Sequence, residues 1–233
     1  MSVNMSYVLS YTVLAFIEFF VFLLSYLIYT RTKGASVAYK KWAIGTFILL
    51  MGGVSFLTAA VLFECNEDES SNKNELHKII GGSIIALGYF YIPVGILYFS
   101  KDLGVINFDE KMIKKAQIIF FSVISAITVF FVILVPYFKI LTIIGVTLNS
   151  LYAFVWIFAI FAYQDVYSQI LKNAPTGWTL IYIGMIAAFF SEILNVLYFI
   201  APEFEIPQLI CEFLMAFGFV GGFFKIAKMV EAI

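Results

Sequence analysis

Glu18, Glu192 and Glu212 are carboxylic acids set inside long apolar runs, and they are the residues of this chain best suited to do chemistry. Asn195 follows Glu192 by three residues and Glu212 follows Gln208 by four, so each pair shares a helix face. Asn149 stands at a comparable depth in another apolar run. A charge at the centre of a bilayer costs at least about 2.5–3.5 kcal/mol, so these groups are expected to face the interior of a helical bundle. No lysine or arginine falls in the same layer to neutralise them. Either each carboxyl holds a proton, or it faces a hydrated pocket that accepts a cation or a polar ligand. Carboxyls in such a layer can also carry protons. The purely structural alternative is that Asn and Gln bridge helices while protonated glutamates donate to backbone carbonyls. The depths make Glu192 the expected central carboxylate, with Glu18 and Glu212 as auxiliary charges and Asn149 and Asn195 orienting the ligand.

Aromatic residues form 19% of the chain, enough to line a cavity as well as a core; Tyr89, Tyr91, Tyr152, Trp156, Tyr182 and Tyr198 are candidates. Aromatic faces also bind cations and amines. Cys65 and Cys211 both map near the outer ends of their helices. They could form an exterior disulfide or stand as two small buried hydrophobes.

Other chemistries lack their residues. His77 is the only histidine and lies in a loop, which removes histidine-ligated haem and metal sites. No aspartate falls inside an expected span, against an intramembrane aspartyl protease, and no Ser-His pair can form there. Lys225 is too near its helix end for a retinal Schiff base, and no phosphate-binding glycine loop appears. The expectation is a non-enzyme without metal or cofactor. No basic, aromatic-laced segment suited to nucleic acid is present.

The elements that must position the carboxyls are membrane helices. Hydrophobic residues make up 63% of the chain and charged residues 12%, well below the roughly 25% of soluble domains. The apolar runs Ser6–Thr30, Trp42–Phe63, Ile79–Ser100, Ala116–Val135, Ile140–Tyr163, Trp178–Ile200 and Ile206–Val230 each reach the length of about 20 residues that crosses a bilayer core. They are continuously apolar, unlike the alternating strands of a membrane barrel. The expected fold is therefore an all-α integral membrane bundle of seven transmembrane helices, one domain over residues 1–233 with no soluble domain at either end. The opening residues carry no basic region and read as the start of helix one, with an acceptor pattern for glycosylation at Asn4.

Arg31, Lys33, Lys40, Lys41, Lys101, Lys111, Lys114, Lys115, Lys172, Lys225 and Lys228 fall on one side, against Lys73, Lys78 and Lys139 on the other. The positive-inside rule then puts the N-terminus outside and the C-terminus inside. Trp42 and Trp178 are expected at the inner interface. The segment 64–78 is an acidic outer loop, read as solvated or as a cation-attracting vestibule.

Helices one to three and five to seven would run in the same directions with helix four between them, a 3+1+3 arrangement. Trp42–Phe63 aligns with Trp178–Phe199, placing Ser55 opposite Ser191, and Val94-Gly95 echoes Val220-Gly221. These echoes point to parallel half-repeats over 6–100 and 140–230 with 116–135 as linker. Such an arrangement resembles that of the sugar-transporting SWEET family, and the layout is also similar to seven-helix sensory domains. The resemblance is one of architecture: Pro207-Gln208 is the chain's only proline–glutamine pair and has no counterpart in the first half.

Glycines recur along helices two, three and seven, where small residues let backbones approach. Pro93 is expected to kink helix three, with a gating hinge as the bolder reading. Two functions follow from the residues. The first is a small transporter or channel for a cation, an amine or a polar small solute. The second is a sensory receptor or accessory subunit that binds a ligand or lipid and signals through its basic loops to a partner or a second copy. The expected location is the plasma membrane.

Overall fold

A computed structural model describes residues 5–32, 36–63, 71–105, 107–134, 141–169, 176–198 and 201–231. Seven helices follow one another: α1 Met5–Arg31, α2 Val37–Phe63, α3 Ser71–Asp102, α4 Glu110–Leu134, α5 Leu141–Gln169, α6 Thr176–Tyr198 and α7 Glu205–Glu231. All seven are long and apolar enough to cross a membrane, which makes this an integral multi-pass protein. Helices satisfy every backbone group internally, as a hydrocarbon environment demands. Cys65, Asn4 and the most acidic part of the expected loop, 64–70, lie outside the described residues, while 71–78, His77 included, forms the first turns of α3 rather than loop.

Several helices outrun their apolar cores because local chemistry extends them. α4 starts at Glu110 rather than Ala116, because the Asp109 carboxylate accepts a hydrogen bond from the Lys111 N–H at 2.9 Å and caps the first turn. α3 ends in a glycine cap: Gly104 has φ of 74°, and Val105 N–H donates to the Ser100 carbonyl at 2.9 Å. α5 runs on to Gln169, so its membrane-length stretch Gly145–Ser168 takes in Asp165. The expectation of aspartate-free spans fails there, because a polar last turn continues the helix beyond the hydrophobic boundary.

Side-chain contacts give the helix directions. Phe22 of α1 meets Phe47 of α2 with ring centres 5.4 Å apart, while Glu18 lies against Gly53, so α1 and α2 are antiparallel. Gly45 approaches Gly88 and Gly52 approaches Gly81, making α2 and α3 antiparallel as well. Leu148 and Tyr152 reach Gly82 while Tyr152 and Trp156 reach Tyr89, so α3 and α5 run the same way. Tyr163 meets both Trp178 and Tyr182, and Gly177 and Gly184 face Gly222 and Gly218.

The resulting neighbour order is a closed ring, α1–α2–α3–α5–α6–α7 and back to α1. Among the described residues α4 packs chiefly on α3, where Gln117 donates to the Tyr91 hydroxyl at 3.0 Å and Thr128 to Ser83 Oγ at 2.6 Å. Most of the rest of α4 points outward, including Ile118 and Ile119, as suits a helix bathed in lipid.

The tightest packing lies within the pairs α2–α3 and α6–α7. A β-carbon at Gly218 would sit 2.5 Å from the Gly184 Cα, inside any allowed contact. Without water to drive apolar groups together, such close backbone approach is a main source of helix association in lipid. Trp42 and Trp178 correct an expectation: both are buried in the bundle rather than turned to a headgroup layer. Trp42 packs on Gly95 and donates to the Ile92 carbonyl at 3.1 Å, beside Pro93, while Trp178 stacks on Phe99 at 4.4 Å. The Trp42 indole N–H finds its partner inside, which removes the advantage of the interface for that ring.

Candidate functional site

Six ring helices surround a cavity of about 50 Å³ at mid-bundle. Each contributes from near its own centre: Glu18 from α1, Thr46 from α2, Tyr89 from α3, Trp156 from α5, Met185 from α6 and Phe219 from α7. The walls are otherwise apolar or aromatic, and no lysine, arginine or histidine is among the lining residues. At about 10–15 Å³ per water in this measure, the space suits a few waters, an alkali ion or an ammonium group.

Glu18 is the acidic side chain of this cavity. The residue is half-buried, yet its Oε2 is closed off and has no hydrogen-bond partner among the described residues. That oxygen lies against α2, where a β-carbon at Gly53 would come within 2.7 Å of it. Gly53 is therefore what allows the carboxyl to lie flush with the neighbouring helix. An unpaired buried polar atom costs about 1–3 kcal/mol, more when charged.

Glu192 does not line the cavity. It accepts a hydrogen bond from the Tyr89 hydroxyl at 2.8 Å, and Tyr89 does line it. Tyr89 is held further by the Tyr152 ring at 4.8 Å and the edge-on Trp156 ring at 5.4 Å. Tyr152 donates to the Gly82 carbonyl, fixing α5 on α3. Glu192 thus touches the cavity wall through the Tyr89 phenol.

The remaining predicted residues are more remote. Glu212 is buried on α7 and accepts from Gln208 Nε2 at 3.1 Å, the pairing their spacing implied. It is not a cavity residue, and neither are Asn149 and Asn195, both half-buried. Cys211, beside Glu212, is a half-buried free thiol. Pro93 is buried within α3 next to the Trp42 contact rather than lining the cavity. Of the six aromatic candidates, Tyr89 and Trp156 line the cavity and the other four do not.

Sequence reasoning missed Trp42, Thr46 and Phe223. Trp42 and Phe223 meet edge to face at 5.3 Å and close the cavity toward the basic ends of α1, α2, α3 and α7. Phe99 and Trp178 stack behind them. The only available signal was the repeated tryptophan near the start of α2 and α6. Thr46 gave none, since its hydroxyl is used on its own helix, donating to the Trp42 carbonyl at 2.8 Å. The chain matches no protein-family model, no curated protein and no solved structure.

Proposed function

We propose that this protein is a small transporter or channel that holds a small cation, of alkali or ammonium type, against Glu18 at the centre of the bundle. The observation that carries this reading is the unpaired Glu18 oxygen beside a cavity with no cationic side chain in its walls. Trp42, Tyr89, Trp156, Phe219 and Phe223 supply ring faces that favour a desolvated cation. Glu192 positions Tyr89 and Glu212 stands farther along α7, a change of roles from the expectation that made Glu192 central.

The same reading takes the helices as a 3+1+3 arrangement of two parallel halves with α4 as linker. The neighbour pattern supports it: α1–α2, α2–α3 and α1–α7 have counterparts in α5–α6, α6–α7 and α5–α3. The cavity then lies between the halves, where alternating access needs its site. The N-terminus would face outward and the basic ends inward, by the charge asymmetry.

The test is a capacitively coupled current from proteoliposomes on a solid-supported membrane during jumps of ammonium, methylammonium and alkali cations, paired with a flux assay for electroneutral exchange. Parent protein should give substrate-dependent signals that Glu18→Gln abolishes while its melting temperature holds. Transport surviving in Glu18→Gln would remove Glu18 from its role. Ligand-induced stabilisation without current or flux would instead favour a receptor.

A further inference from the structure

A second cavity lies on the outside of the bundle, a groove of about 520 Å³ between α1 and α7. Its walls are entirely apolar, with Phe16 and Phe20 from α1 facing Phe213 and Phe217 from α7. These four rings are exposed on the surface that lipid surrounds. Ile17 is the only side chain that lines both this groove and the central cavity, and it is the residue before Glu18. The lipid-facing apolar slot and the small chamber that Glu18 lines therefore meet at this one aliphatic side chain.

We propose that the natural ligand is an amphiphilic monoalkylammonium, its cationic head at Glu18 and its tail in the α1–α7 groove, reaching the site sideways from the bilayer past Ile17. This rests on the central cation site proposed above and narrows its substrate class. The match is one of size and charge. The inner chamber holds little more than an ammonium group, and it is acidic. The outer slot is about ten times larger and offers nothing polar. A head that must be small and positive and a tail that must be long and apolar describe one molecule. A second copy or a partner helix laid in the groove would satisfy the rings but leave Glu18 as it is.

Gly221 supplies the test, because it lines the groove and a β-carbon there meets only the tip of Leu180, at 3.5 Å. Leucine at that position should fold normally and fill the slot. Methylammonium and octylammonium binding would be measured in lipid nanodiscs, on parent protein, Gly221→Leu and, as a second groove variant, Phe213→Ala. Because the bilayer concentrates longer chains by itself, the readout is the ratio of variant to parent affinity for each ligand. Gly221→Leu should weaken octylammonium about tenfold, as loss of two buried methylenes would, and leave methylammonium unchanged. Phe213→Ala should weaken octylammonium alone by a smaller factor. If neither variant separates the two ligands, whether both bindings hold or both fall, the tail does not use the groove and the proposal is overturned, with the central site intact. If neither ligand binds the parent, the central cation site itself is wrong.

Discussion

Gly218 and Gly53 are both glycines on membrane helices, yet one meets backbone and the other meets a carboxyl. Gly218 presses α7 onto α6, with the Gly184 backbone where its β-carbon would be. Gly53 makes room on α2 for the Glu18 carboxyl beside a cavity. The first kind of contact belongs to a seam that holds two helices together. The second holds nothing together; it tolerates a polar atom without a partner. Seams and centre therefore make opposite demands, and substitutions should separate stability from binding along the same line.

The largest effect should come from the seam. Gly218→Val places branched carbon against backbone that cannot move aside, so α6 and α7 must part. Overpacking of this kind costs about 1–3 kcal/mol and sometimes more, and the loss of neighbouring contacts adds to it. The expected outcome is a collapsed melting temperature or no monodisperse protein at all, read by thermal denaturation in detergent. A variant that melts like the parent would mean that the α6–α7 seam is not a main source of stability.

Gly53→Ala should do the reverse. The added methyl carbon collides only with the end of a flexible glutamate, which can swing away at little cost. Stability should change by less than about 1 kcal/mol, while cation affinity falls about tenfold if moving the carboxyl sacrifices roughly 1.4 kcal/mol of its attraction. Methylammonium titration beside a melting curve tests both halves. Equal loss of stability and binding would erase the distinction between centre and seam.

The fold was legible because hydrophobic length is a one-dimensional property. All seven helices stand where the apolar runs predict, and the errors lie at their ends, as with the Asp109 cap that lengthens α4. The Gln208–Glu212 pairing was legible too, since both partners lie on one helix. The centre was harder to read. Depth along a helix follows from counting residues, but the direction in which a side chain faces depends on neighbours far away in sequence. Glu18 and Glu192 are the same residue type, each near the middle of an apolar run. What separates them is Gly53 against one and Tyr89 against the other, and neither contact is local. The tryptophans misled for the same reason, because a partner such as the Ile92 carbonyl cannot be seen from Trp42 alone.

The smallest effect tests that separation most sharply. In Glu192→Gln the side-chain carbonyl can still accept the Tyr89 hydroxyl, so the phenol keeps its place and cation affinity should change by less than about threefold, under 1 kcal/mol. Glu192→Leu removes the acceptor and leaves the hydroxyl with no partner there. Tyr89 should then shift in the cavity wall and affinity should fall by about tenfold, within the range expected for an unsatisfied buried group. Tyr89→Phe removes the hydroxyl itself and should lie between them, since no donor is stranded but the Glu192 oxygen loses its bond. The order Gln, Phe, Leu follows from a role in which Glu192 acts through Tyr89. If Gln is instead as damaging as Leu, the charge of Glu192 matters to the ligand directly, and the two carboxyls share the site rather than dividing it into a binding group and a support.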